Sequence, residues 1–166
     1  MRTTETHATA SYAKRAAAMI MPVVTFRLEQ ECYGVPIGQV QEVILCRDIA
    51  KSFEMPEHIV GIYNLRGTII PIVDLKQRLG IPSQPSGEQQ ILICKVHGCV
   101  VGFIVDEVIQ VMKIPKVQIK PAPASLSAKA PNHIIGIAAL EGGLTTIIDI
   151  AAGVAPVSAD PTIQEG

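Results

Sequence analysis

Residues 58–75 read HIVGIYNLRGTIIPIVDL and residues 133–150 read HIIGIAALEGGLTTIIDI. Aligned without a gap at an offset of 75, eight of eighteen positions are identical: His, Ile, Gly, Ile, Leu, Gly, Ile and Asp. Upstream, a weaker match runs at an offset of 68 and pairs Gly34 with Gly102, Ile37 with Val105, Val40 with Val108 and Val43 with Val111. The change of offset leaves seven extra residues in the second copy's connection. Two copies of about 70 residues are too few for a solenoid, which stacks several short repeats. A duplicated subdomain fits.

Each copy carries five strand-like runs: 23–28, 33–37, 39–46, 59–65 and 68–73 in the first, and 90–96, 99–105, 108–113, 134–140 and 143–148 in the second. Five short antiparallel strands with one buried face tend to curl and close, because closure removes sheet edges. Asp74 to Gly80 reads as a short helix, N-capped by Asp74 and ended by Gly80. Residues 81–88 read as the linker between copies, and 114–132, with four Pro, as a long irregular connection. Flexible tails are expected over 1–20 and 155–166, around one folded unit at 21–154. Its first barrel is expected at about 23–80 and its second at about 89–150.

Composition points the same way. Of 166 residues, Ile and Val supply 39 and Leu only 9, and β-branched side chains suit a pleated sheet better than a helix. The fold class is therefore mainly β. Hydrophobic residues make up 48% of the chain and charged residues 17%, so disorder of the whole chain is excluded. Fourteen basic residues against fifteen acidic ones argue against a nucleic-acid surface. No apolar run approaches the roughly 18 residues of a membrane span, so no membrane insertion is expected. The run 16–24 is broken by Pro22 and shows no cleavage motif, so it is not read as a signal peptide, and a cytoplasmic location is expected.

Catalytic templates fail in turn. Asp74 and Asp149 occupy matched positions, one per copy, as a proton-sharing carboxylate pair would require. That chemistry needs each Asp on a tight small-residue turn, whereas here Leu75-Lys76 and Ile150-Ala151 follow, so each reads as a helix cap. No nucleophile elbow, zinc-protease motif or phosphate loop is present. The cysteines Cys32, Cys46, Cys94 and Cys99 form no CxxC pair, and the histidines are dispersed, His58 and His133 being repeat equivalents. No enzyme, metal site or cofactor is expected.

What remains is the difference between the copies. Asn64-Leu65-Arg66-Gly67 in the first stands against Ala139-Leu140-Glu141-Gly142 in the second, and Glu42 against Gln110. Structural positions are kept while these polar ones differ, so function concentrates in the first copy. Arg66 and Glu42 are either an oriented Arg–carboxylate pair or ordinary strand-end charges.

Gly61-Ile-Tyr-Asn-Leu-Arg-Gly67, followed by Ile70-Pro71-Ile-Val-Asp74-Leu75, resembles the signature of the CheW family of bacterial chemotaxis coupling proteins. The resemblance runs from about Val23 to Ala152 and takes in Phe26-x-Leu28, Tyr33-Gly-Val-Pro36, Val40-x-Glu42-Val43 and Val105-Asp106-x-Val108. It implies two pseudo-symmetric five-stranded SH3-like β-barrels with short helices. It also implies a non-catalytic adaptor that couples the cytoplasmic tips of chemoreceptors (methyl-accepting chemotaxis proteins) to the regulatory domain of a CheA-type histidine kinase. Location would be at receptor arrays on the inner membrane face. An adaptor of another chemosensory pathway, serving pilus motility or second-messenger output, is the alternative. By the resemblance, Glu42 and Arg66 would flank a receptor groove between the barrels, with Val40, Asn64 and Gly61 in the same neighbourhood. Ile49 and Phe53 would face the kinase. The stretch 49–55 departs from the family pattern in having no proline before Pro56.

Overall fold

The computed structural model describes residues 19–51, 59–82, 87–123, 134–140 and 143–153. Eleven strands account for most of them: β1 (Ile20–Leu28), β2 (Glu31–Pro36), β3 (Val40–Leu45), β4 (Ile59–Leu65), β5 (Thr68–Asp74), β6 (Gln90–Val96), β7 (Cys99–Val105), β8 (Glu107–Pro115), β9 (Ile119–Lys120), β10 (Ile134–Leu140) and β11 (Gly143–Ile148). Two four-residue helices, α1 (Leu75–Arg78) and α2 (Ile150–Gly153), follow β5 and β11. Asp74 Oδ1 accepts the Lys76 N–H at 3.1 Å and Asp149 Oδ1 accepts the Ala151 N–H at 3.0 Å. Both aspartates are caps, as their sequence context required.

The strands form a five-stranded sheet ordered β3-β6-β7-β5-β4 and a six-stranded sheet ordered β8-β1-β2-β11-β10-β9. Both curl. Beyond β3, Ala50 exchanges two backbone hydrogen bonds with Ile62 of β4, which joins the edges of the first sheet. In the second, the edge strands β8 and β9 are consecutive pieces of one segment, bent at a 3-10 turn over Lys116–Gln118. Counted as one bent strand, they make that barrel five-stranded as well. The stretch 114–120, expected to be irregular, thus completes β8 and supplies β9.

The expected barrel boundaries need correction. The five-stranded sheet is built from residues 40–105, and the six-stranded sheet from 20–36 together with 107–148. Each copy has given its first hairpin to the other barrel: β1–β2 pairs with β8 and β11, and β6–β7 pairs with β3 and β5. The physical reason lies in the parallel pairings, Ile72 beside Gly102 and Gly34 beside Ile147. These pairs are repeat equivalents, and in both a strand of one copy lies against a strand of the other.

Three cores result. Ile70, Ile72, Ile91, Ile93 and Ile104 fill the five-stranded barrel, and Val23, Ile114, Ala138 and Ile147 fill the other. The largest cluster, including Val24, Phe26, Val73, Leu92, Phe103, Val105 and Ile148, draws on strands of both sheets and packs the barrels together. β7 and the Ile91–Cys94 stretch of β6 are therefore covered on both faces and read as apolar runs, in keeping with the low charge content.

Candidate functional site

The β4–β5 hairpin delivers Arg66 to Glu42. Leu65 and Thr68 are register partners, leaving Arg66 and Gly67 as a two-residue loop. Their φ angles are +50° and +92°, the positive pair that a type I′ turn demands. Glycine takes that conformation freely and arginine at a cost. Asn64 Oδ1 accepts the Gly67 N–H at 2.8 Å and so ties the turn down. From there Arg66 Nη2 donates to Glu42 Oε2 at 2.5 Å, and Nη1 to Oε1 at 3.4 Å. Glu42 stands on β3 just past a bulge that leaves Gln41 between the register pairs Val40–Cys94 and Glu42–Ile93.

The side chains are 72% exposed for Arg66 and 31% for Glu42. The hydrogen bond from Arg66 holds the Glu42 carboxyl below the usual carboxylate range, and the carboxylate in turn raises Arg66. An ion pair this open to water adds little to folding. What it provides is orientation, with a planar donor fork fixed at the surface. The same strands carry exposed apolar side chains, Val43 and Leu45 on β3 and Ile69, which lies directly opposite Asn64.

The other residues expected at this site have roles inside the fold. Val40 packs against the core shared by the barrels. Gly61 is buried at a bulge, where a Cβ would come within 2.6 Å of the Ala50 carbonyl oxygen; its equivalent Gly136 faces the Lys120 carbonyl oxygen at the same distance. Both glycines admit the closing segment of their barrel, so Gly61 has no side chain to offer a partner. Ile49 packs into the core of the five-stranded barrel. Phe53, His58, His133 and Glu141 lie outside the described residues. The seam between the barrels is filled by the shared core cluster, and exposed apolar side chains lie on strand faces. Val43, Ile69, Val111 and Leu144 are among the exposed positions.

One charged cluster has no signal in the sequence. Lys76 of α1 is fully buried, and its Nζ donates to Glu29 Oε2 at 2.6 Å and to Asp106 Oδ1 at 2.9 Å. Asp106 also accepts the Glu29 N–H at 2.6 Å and Gln89 Nε2 at 3.1 Å. Glu29 is in the β1–β2 turn and Asp106 is the residue where the chain leaves one barrel for the other, so the cluster fastens the exchanged hairpin. At the other crossing, Gln39 Nε2 donates to Asp149 Oδ1 at 2.8 Å and Gln39 Oε1 accepts the Ile150 N–H at 3.2 Å. Among the described residues no cluster of three His, Cys, Asp or Glu could hold a metal, and no helix is long and apolar enough to cross a membrane.

Comparison with known proteins agrees with this architecture. The family model described as the CheW-like domain matches residues 22–155. A chemotaxis protein CheW from Klebsiella aerogenes is 33% identical over 126 residues, covering 75% of this chain and 76% of that protein. The CheW of Thermotoga maritima is 27% identical over 144 residues, covering 87% and 91%. Among solved structures, the scaffolding protein TtCheW from Thermoanaerobacter tengcongensis is 38% identical with a TM-score of 0.72, covering 79% of this chain and 90% of that one. With the family model spanning both barrels, the chain belongs to the CheW family of chemotaxis scaffold proteins.

Proposed function

We propose that this protein is a non-catalytic adaptor that couples the cytoplasmic tip of a chemoreceptor to the regulatory domain of a CheA-type histidine kinase, at receptor arrays in the cytoplasm. The observation that carries the receptor side of this reading is the Glu42–Arg66 pair. It occurs in only one of two otherwise matched copies, on a turn whose arginine holds a costly backbone conformation. Glu29, Asp48 and His97 also have positive φ, so what marks Arg66 is its carboxylate partner and the absence of that pair from the second copy, together with the turn conformation. The exposed apolar side chains of Val43 and Ile69, on the strand and the hairpin that carry the pair, suit an amphipathic helix from a receptor hairpin, with Arg66 selecting its polar edge.

Titration calorimetry with a receptor tip fragment and, separately, with the kinase regulatory domain tests the reading. Binding to both is expected, and binding to neither sinks it. Arg66→Glu places two carboxylates together on the hairpin and β3. It is expected to weaken receptor binding by at least about ten-fold while leaving kinase binding within about two-fold, since a like-charge contact repels partner and neighbour alike. Unfolding of the variant would instead mark Arg66 as structural.

A further inference from the structure

We propose that Asn64 is a positioning residue for Arg66. By accepting the Gly67 N–H it holds the Arg66-Gly67 turn in its left-handed form, and so keeps the guanidinium on Glu42, without itself meeting a partner. Three observations converge on this. The Asn64 Oδ1 to Gly67 N distance is 2.8 Å, and this side-chain acceptor bonds a backbone N–H three residues on, the local pattern that stabilises tight turns. Arg66 has φ +50° and a side chain 72% exposed, so packing gives little to hold its backbone in that conformation. Finally, the second copy lacks both members together: Ala139 stands where the first copy has Asn64, and Glu141 where it has Arg66. The amide is present where an arginine has to be aimed and absent where none is.

The test has one arm in the free protein and one in the complex; the second rests on the adaptor reading and the first does not. Carboxyl ¹³C NMR titration of Glu42 reads the ion pair directly. Asn64→Ala is expected to move the Glu42 midpoint upward, toward that of Arg66→Ala. A midpoint identical to wild type overturns the proposal. In the complex, Asn64→Ala is expected to weaken receptor-fragment binding roughly five-fold, the size of one modest hydrogen bond. It should cause no further loss when added to Arg66→Ala. Additive losses in this double-mutant cycle would make Asn64 a contact in its own right and would also overturn the proposal. If the wild-type protein binds no receptor fragment, the adaptor reading fails and the titration alone decides the role of Asn64.

Discussion

Lys76 carries a charge into a fully buried position, and that is tolerable only because two carboxylates receive it there. Burial, the largest influence on the ammonium, works to lower its pKa. The hydrogen bonds and charges of Glu29 and Asp106 outweigh that and leave it above the ordinary lysine value. For Asp106, burial works upward and is outweighed by the Glu29 N–H, Lys76 and Gln89, so its carboxyl lies below the usual range. Lys76→Met would remove the ammonium from between Glu29 and Asp106 and is expected to cost about 3–5 kcal/mol in urea unfolding. A loss below about 1 kcal/mol would show that water reaches the cluster. The pH dependence has a definite sign. Because the folded pKa of Asp106 is depressed, its contribution is complete above its unfolded value of about 4 and drains as pH falls through the folded value. The contribution of Lys76 is complete below its unfolded value of about 10.4 and is lost as pH rises through the raised folded one. Between about pH 5 and about pH 2.5, the urea midpoint of wild type should therefore fall more steeply than that of Asp106→Asn. Neither partner was legible beforehand: Lys76 sits in Asp74-Leu-Lys-Gln-Arg78 like any surface lysine, and no spacing relates it to residues 29 and 106. Arg66 and Glu42 were legible, because a duplicated chain supplies its own control at each position.

At the scale of strands, one copy meets the other in four pairings, β1–β8, β2–β11, β3–β6 and β5–β7, and each of the two parallel ones brings an isoleucine against a glycine. A Cβ at Gly102 would lie 2.6 Å from Ile72 Cδ1 and 2.8 Å from Ile91 Cγ2, whereas one at Gly34 would lie 3.1 Å from Ile147 Cδ1 and at an ordinary 3.5 Å from Val23. Gly102→Ala is therefore expected to destabilise by about 1–3 kcal/mol through overpacking, and Gly34→Ala by clearly less, since one methyl can give way. Thermal melts of the two variants compare them, and equal losses would mean that both sites relax alike. Most strand positions could be read in advance, because apolar runs ended at His97-Gly98 and Arg66-Gly67, whose residues take the positive φ of tight hairpin turns. Partnership could not be read. Strand β7 and the Ile91–Cys94 stretch of β6 are buried on both faces and have no alternation to say which sheet they join, and β9 spans only Ile119 and Lys120.

For the molecule as a whole, exchange of the first hairpins means that neither copy holds a complete barrel. Residues 1–82 contain β1–β5 but lack β8 and β11, against which β1–β2 packs, and β6 and β7, which lie beside β3 and β5. Residues 87–166 are incomplete in the same way. The largest core cluster draws on strands from both halves, so separation also exposes the apolar faces that join the barrels. Each fragment alone is expected to give collapsed NMR amide dispersion and no cooperative melt. Mixed or co-expressed, they should reassociate into a species with native dispersion, because every strand then regains its neighbours. Had each copy formed its own barrel, either fragment would fold alone, and a single cooperative transition in one isolated fragment would overturn the exchanged topology. The same topology bears on coupling. With the β1–β2 hairpin clamped at Asp106 and Lys76 and its exit tied by Gln39 to Asp149, a shift of either barrel would disturb a buried or half-buried hydrogen bond at a crossing. A partner on the Arg66 hairpin and one on the six-stranded barrel would thus act on one rigid body. Hydrogen exchange should accordingly show β1, β6 and β7 protected to the same free energy, that of global unfolding, whereas barrels that open independently would give two values.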